Sequence, residues 1–283
     1  MRDAAWLAPE KRHIDAWVEW QEAPWGRLRY RLVSHTLSYA LRGLGARCRV
    51  LDIGGGDGAD SVPLAAHGHD VTVLDKSEEL LARAAERTGG RLAGRVRTVR
   101  ADLDELAGRE PLVAMRDVGA GYDLVLCHNV LQYRPDLAGT VNTVVRAARP
   151  GGVVSLLSPN PAMDVLTTAV RRCDPANAAD LLDAETVRSV TFERDMLRVD
   201  ADDVARALAA SACVVTHRFG IRCVTDLIAD DERKRDPAFF AELERLELAL
   251  CEREPFVRMA RYWQLLAVRG KGDDPVRNAE RER

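Results

Sequence analysis

From residue 49 onward, short apolar runs alternate with amphipathic stretches. The runs RVLDI, VTVLD, VRTVRAD, YDLVLCH and GGVVSLLSP are separated by helical patterns over 57–67, after Ser77, over a loop with a short helix, and over 136–148. Ser77 supplies an N-cap, and Glu78 and Glu79 suit the first turn behind it. Apolar runs without in–out alternation predict parallel strands covered on both faces. Pro150 stops the helix before the fifth run, and Gly151-Gly152 makes the turn into it. The pattern predicts a doubly wound, mostly parallel α/β fold with its core over 46–157.

Residues 1–45 read as a helical cap, with Ile14, Trp17 and Val18, then Leu28, Leu32 and Leu37, at helical spacing around a break at Pro24-Trp25-Gly26. Trp6, Trp17, Trp20 and Trp25 all lie there, suited to packing the cap onto the sheet and to walling a substrate pocket. Residues 158–199 leave the alternation for mostly helical, mixed-charge sequence, and predict a lid or substrate wall inserted after the fifth strand. Over 200–270 the pattern returns as a helix at 200–212, the strand VVTHRF, the long helix FFAELERLELALCERE and a closing strand at 261–269. The tail, 271–283, is too polar to pack and is predicted to be disordered.

Composition narrows the function classes. The 283 residues carry a formal net charge of −3, which offers nucleic acid or an anionic membrane no global attraction. Only four of the 41 basic residues are lysine, so a single arginine is weak evidence of a site. No segment has the length and apolarity of a signal peptide or membrane span, which predicts a soluble, cytoplasmic protein without a membrane partner. The six cysteines are widely spaced, form no C-x-x-C pair and read as small buried hydrophobes. Neither a disulfide framework nor a metal site is expected.

Chemistry concentrates at VLDIGGGDG, residues 50–58. A strand breaking into Gly54, Gly55 and Gly56 predicts bare backbone N–H groups close to a ligand. Gly54, Gly56 and Ala59 also satisfy a dinucleotide fingerprint, so the glycines alone leave nicotinamide and flavin enzymes open. No Walker lysine follows them. The acids discriminate further: Asp52 at the first strand tip suits an ammonium group, Asp75 at the next suits ribose hydroxyls, and Asp102 after the third suits an adenine amine. Ammonium, ribose and adenine together describe S-adenosylmethionine.

VLDIGGGDG, VTVLD, RAD, YDLVLCHNVLQY and RAARPGGVV, in this order and spacing, resemble the class I S-adenosylmethionine-dependent methyltransferases over about 44–157. The resemblance implies a seven-stranded Rossmann-like sheet, an enzyme, and S-adenosylhomocysteine as the spent cofactor. WGRLRYRL, HNVLQY, FGIRCVTDLI, LELALCEREPF and RYWQLLAVR resemble one branch, the tRNA 5-carboxymethoxyuridine methyltransferases, which methylate a carboxylate. By that resemblance Arg29 reaches the methionine carboxylate, Gly54 and Gly55 its amino acid portion, and Asp75 the ribose. Asp102 and Leu103 bracket the adenine, and His128 lines the methyl-transfer face.

The sequence departs from that branch after the fifth strand, where a run of lysines is replaced by Asp174, Asp180, Asp183, Glu185, Glu193 and Asp195 against Arg188 and Arg194. Carboxylates in place of phosphate contacts disfavour tRNA, and a small acidic metabolite becomes the expected acceptor. An ionised carboxylate needs no general base but does need a cation, for which Arg222, and Arg261 with Tyr262, are the candidates. Were the acceptor a phenol or amine, His128 would serve as the base. Methylation of wobble-uridine carboxylates in tRNA would instead need a basic face built from Arg27, Arg29, Arg31, Arg171, Arg172 and the ERKR run at 232–235. A third reading is a cofactor-binding protein without methyl transfer, which the intact acids and glycines argue against.

Overall fold

The apolar runs assemble into one seven-stranded sheet in a computed structural model that describes residues 11–92, 94–107, 121–189 and 193–271. The strands are β1 (Arg49–Ile53), β2 (Asp70–Asp75), β3 (Val96–Arg100), β4 (Tyr122–His128), β5 (Ala148–Pro159), β6 (Thr186–Arg188), β7 (Asp195–Leu197), β8 (Cys213–Ile221) and β9 (Tyr262–Arg269). The helices are α1 (Lys11–Glu22), α2 (Pro24–Leu41), α3 (Val62–Ala66), α4 (Glu78–Leu92), α5 (Leu103–Ala107), α6 (Leu137–Ala147), α7 (Pro161–Leu166), α8 (Pro175–Asp180), α9 (Ala201–Ala210) and α10 (Pro237–Leu250). The sheet order is β3-β2-β1-β4-β5-β9-β8, with β9 antiparallel to both neighbours and the other pairs parallel. Strand order reverses between β1 and β4, the switch point where a crevice opens beyond the strand ends.

Each central strand feeds two cores. Leu51, Ile53, Val125, Cys127, Val154 and Leu156 face α6 and α9, where they meet Val141, Val144, Val204 and Leu208. Val50, Leu124, Leu126, Val153 and Leu157 face the other layer, against Leu28, Leu32 and Leu37 of α2. Side chains of successive strand residues point to opposite faces, so a strand buried on both sides must be apolar throughout. Pro24 opens α2, where its missing N–H has no partner to lose. Asp136 caps α6 by accepting from the Gly139 N–H at 2.9 Å.

Three expectations change. The helix expected over 57–67 is confined to Val62–Ala66, because the chain winds through Gly54, Gly56 and Gly58 at φ of 66°, 56° and 71° before it turns helical. At Gly58 a Cβ would lie 2.5 Å from Val62 Cγ2, so the turn needs glycine for both conformation and space. The insertion after β5 is not only helical: α7, a turn of π-helix over Thr167–Arg171 and α8 lead into the antiparallel pair β6–β7. Arg198 fastens this segment by donating to the carbonyls of Ala184 (3.1 Å) and Pro161 (2.9 Å). Cys173 is exposed, whereas the other five cysteines are buried, and all six are free. His35, Cys251 and Glu252 come within 4.8 Å of one another, but burial pushes the Cys251 thiol up to about 11, which makes it a poor metal ligand. Trp6 and the tail from residue 272 onward lie outside the described residues.

Candidate active site

The strand ends β1 to β4 and the loops that leave them enclose two contiguous cavities, which share Gly54, Asp75, Asn129 and Tyr133. The first is a slot between the apolar side chains of Ile53, Leu74, Ala101, Leu103 and Val130, closed at its polar edge by Lys76, Asp102 and Arg134. Its shape and lining suit a planar base with polar edges. The second is walled by Trp17, Trp20, Tyr30 and Tyr133 and floored by Asp52, Asp60, Arg29 and His128. Two of the cap tryptophans therefore line the cavity. Trp25 instead lies under the Lys234 ammonium, 5.3 Å from its ring centre.

The glycines act differently from expectation. The N–H groups of Gly54 and Gly55 both bond to Leu74 O, at 2.8 and 3.1 Å, and that of Gly56 bonds to Asp75 at 3.0 Å. They are not bare donors. Their contribution is the missing side chain: a Cβ on Gly55 would sit 2.6 Å from the Asp52 carboxylate. Asp75 also accepts from the Ser77 N–H at 2.8 Å, and burial pushes its pKa up. It reaches the junction of the two cavities, where a ribose joining a base to a tail would lie. Asp102 is held below the usual carboxylate range despite its burial, by the Asp104 N–H at 3.1 Å and Lys76 at 3.3 Å.

Three buried atoms of residues lining the second cavity lack partners: Asp52 Oδ2, Arg29 Nε and Asn129 Oδ1. Burial first, with the nearby charge of Asp60 adding, pushes Asp52 up to about 7. Arg29 engages Asp60 through Nη1 and lies 4.6 Å from the Tyr30 ring centre. An orphan carboxylate oxygen and an orphan guanidinium N–H in one cavity complement an α-ammonium and an α-carboxylate. Together with Asp75 and the slot beside Leu103, these residues fit a cofactor carrying an amino acid, a ribose and a base.

His128 lies on the cavity floor with both ring nitrogens engaged, Nδ1 with Asp60 Oδ2 at 2.8 Å and Nε2 with Ser155 Oγ at 2.9 Å. Asp60 was not foreseen as a site residue. Its signal was faint, a second acid three residues after Asp57 in GGGDGAD. Asn129, at φ 56°, and Tyr133 were likewise inside a recognised run without being singled out.

Arg222, Arg261 and Tyr262 come together as expected, but as a separate group that neither cavity includes. Arg222 lies 5.7 Å from the ring centres of both Trp20 and Tyr262, so it stands behind the cavity wall. Its guanidinium is committed: Nε and Nη2 bond Asp226, and Nη1 bonds Trp25 O at 3.4 Å. Arg261 uses only Nη1, which bonds Asp164 at 2.7 Å. Glu247, fully buried, accepts from the N–H groups of Cys223, Val224 and Thr225 and so fastens the loop behind Arg222. No helix among the described residues is long and apolar enough to cross a membrane.

Residues 51–154 match a methyltransferase-domain family. The tRNA 5-carboxymethoxyuridine methyltransferase of Escherichia coli (strain K12) is 26% identical over 255 residues, 89% of this chain and 92% of that one. A ubiquinone biosynthesis O-methyltransferase of Bordetella pertussis is 36% identical over 120 residues, 40% of this chain and 44% of that one. The magnesium protoporphyrin IX methyltransferase of Synechocystis PCC 6803, solved with bound S-adenosylhomocysteine, shares the fold at a TM-score of 0.57 and 16% identity, over 92% of this chain and 95% of that one. The chain is an enzyme of the class I S-adenosylmethionine-dependent methyltransferases. Within that class, its similarity to the tRNA carboxymethoxyuridine enzyme extends beyond the cofactor core.

Proposed function

We propose that the protein transfers the methyl group of S-adenosylmethionine to a small, carboxylate-bearing acceptor. One observation carries the choice of a small acceptor over RNA: the basic residues that would form a phosphate-binding face are largely matched to carboxylates. Arg31 pairs with Glu244, Arg171 and Lys234 with Asp231 (2.7 and 2.6 Å), and Arg235 with Glu232 at 3.3 Å. Arg29 is buried on Asp60, while Arg27 and Arg233 lie against Phe240 and Phe239. Phosphates would have to compete with carboxylates already in place, which weakens the electrostatic contribution that dominates nucleic-acid affinity.

The sulfonium of the bound cofactor supplies the electrophilic methyl. This chain's residues bind and orient: Asp52 holds the ammonium, Arg29 the carboxylate, Asp75 the ribose, and Asp102 with Leu103 the base. Charge is dispersed rather than created in such a displacement, so alignment and exclusion of water by Trp17, Trp20 and Tyr133 are the main contributions. His128, with both nitrogens engaged, orients its neighbours rather than removing a proton. An acceptor already ionised fits that restriction. Arg261, with Tyr262 beside it, is the cation proposed to hold the acceptor, and Arg222 is reassigned to supporting Trp20.

A second reading, the tRNA wobble-uridine carboxyl methyltransferase, has the similarity over 92% of the E. coli enzyme in its favour. It shares the carboxylate acceptor and differs in what carries it. Incubation with methyl-labelled cofactor and, separately, bulk tRNA and a metabolite extract decides between them. Label in a small acid is expected; label in tRNA alone would overturn the small-acceptor reading.

A further inference from the structure

Behind the second cavity, polar side chains form a closed circuit that begins and ends on α2. Arg29 and Thr36 are seven residues apart, two turns, and so share one face of that helix. From Arg29 the circuit passes to Asp60 and then to His128, 2.8 Å away. His128 Nε2 lies 2.9 Å from Ser155 Oγ on β5, which accepts from Gln264 Nε2 on β9 at 3.0 Å. Thr36 Oγ carries one proton and has two acceptors in reach, Gln264 Oε1 at 2.6 Å and Val33 O at 3.0 Å; with the proton on the nearer, Gln264 Oε1, the ring closes. Thr36, Ser155 and Gln264 are all 0% exposed, although apolar residues would pack there at no hydrogen-bonding cost.

Counting protons gives the circuit a direction. Ser155 Oγ accepts from the Gln264 amide, so its own proton goes to His128 Nε2. His128 therefore carries its proton on Nδ1 and donates it to Asp60 Oδ2. Asp60 is then gripped from two sides, by His128 on one oxygen and Arg29 on the other. A guanidinium is planar, so holding Arg29 Nη1 on Asp60 fixes where the partnerless Nε points.

We infer that Gln264, acting through Ser155, is a positioning residue for the amino acid end of the cofactor. It locks the His128 tautomer, and with it the Asp60–Arg29 pair that presents Nε to the methionine carboxylate. Thr36 orients the Gln264 amide. The inference rests on the assignment of Arg29 to that carboxylate in the proposed function.

The test compares two ligands by calorimetry: S-adenosylhomocysteine, and 5′-methylthioadenosine, which keeps the base and ribose but lacks the amino acid. Gln264→Leu should weaken S-adenosylhomocysteine roughly tenfold, the scale of one misaligned charge-assisted hydrogen bond. Thr36→Val, a milder change, should act in the same direction by a smaller factor. Both should leave 5′-methylthioadenosine affinity unchanged, which also reports that the variants are folded. Nitrogen NMR of His128 in the wild type should show a proton on Nδ1 alone. Equal loss of both ligands, no loss of either, or a proton on Nε2 would overturn the inference. Arg29→Gln separates the two layers: it should cut the preference for S-adenosylhomocysteine by more than Gln264→Leu does, leaving only what the Asp52–ammonium contact supplies, and an undiminished preference would show the Arg29 assignment itself to be wrong whatever Gln264 does.

Discussion

The proposed cofactor half and the proposed acceptor half of this site are built in different ways. The cofactor half is local: Asp52, Gly54, Asp75, Asp102 and His128 sit at or just beyond the ends of consecutive parallel strands, and the sheet places them. The acceptor half is assembled at long range: Arg222 meets Trp20 of α1, Arg261 meets Asp164 of α7, and Glu247 of α10 gathers the loop at 223–225. The strand-tip acids of the first depend on backbone topology, with only Arg29 held through a chain of side-chain pairs, whereas the second depends on individual side-chain pairs throughout. They should therefore fail separately.

The largest effect is expected at Glu247. Its carboxylate accepts from three backbone N–H groups and the Thr225 hydroxyl, with no exposure. Glu247→Ala orphans all of them and should cost about 3–5 kcal/mol of stability, read by denaturant unfolding. If the halves are separable, the folded fraction should bind S-adenosylhomocysteine within about twofold of wild type at a temperature below its transition, since RT ln 2 is only about 0.4 kcal/mol. A parallel collapse of cofactor affinity would show that the two halves are one unit.

Asp75 probes the converse. Asp75→Ala removes a carboxylate placed for two ribose hydroxyls and should weaken S-adenosylhomocysteine by about 2–3 kcal/mol, near a hundredfold, in calorimetry. It should lower stability less than Glu247→Ala does, because it releases two backbone N–H groups, those of Gly56 and Ser77, where Glu247→Ala releases three and a hydroxyl. Unchanged affinity would remove Asp75 from the ribose.

This contrast explains what was legible in the sequence. The parallel sheet, the acids at its strand tips and the cofactor were readable because each is announced within a few residues: an apolar run, a turn, an acid. The use of the glycine N–H groups was misread, since the bond from Gly54 to Leu74 O extends the β1–β2 pairing and has no local mark. The pairing of Arg222 with Asp226 was not legible, because Asp226 looks like any other loop acid until the fold brings the two side chains together, with Arg222 at φ 64°. The β6–β7 hairpin was hidden by its three-residue strands, too short for periodicity to register. Ser155 and Gln264, isolated polar residues among apolar neighbours, showed only when the sheet brought their side chains together.

A smaller effect tests the cofactor half by pH. Asp52 titrates near 7 in the unliganded protein, above its ordinary 3.8. A raised carboxyl pKa means the folded state holds the proton more tightly, so this group's contribution to stability is greatest at low pH and is lost as pH rises from about 4 through 7. An ammonium bound beside Asp52 favours the ionised form, so binding should release a proton. S-adenosylhomocysteine affinity should therefore rise from pH 6 to pH 7 by about fivefold, short of the roughly tenfold per unit that one proton allows well below its pKa. Asp52→Asn should flatten the slope; a slope that survives the substitution would place the proton elsewhere.

The smallest expected effect decides whether the acceptor half binds the acceptor at all. Arg261 is partly exposed and engages Asp164 with one nitrogen only, so Arg261→Gln should cost little stability. If the rest of its fork holds a substrate carboxylate, the acceptor KM should rise about fivefold to tenfold, the scale of about 1–1.4 kcal/mol for one solvent-accessible charge-assisted bond, with kcat and cofactor affinity unchanged. Arg222→Gln offers the matching control: its nitrogens already face Asp226 and Trp25 O, so its loss should lower stability first and acceptor binding only through a displaced Trp20. Should Arg222→Gln raise the acceptor KM while stability holds and Arg261→Gln does nothing, the roles of the two arginines are reversed, and the carboxylate enters from the Trp20 side instead of along β9.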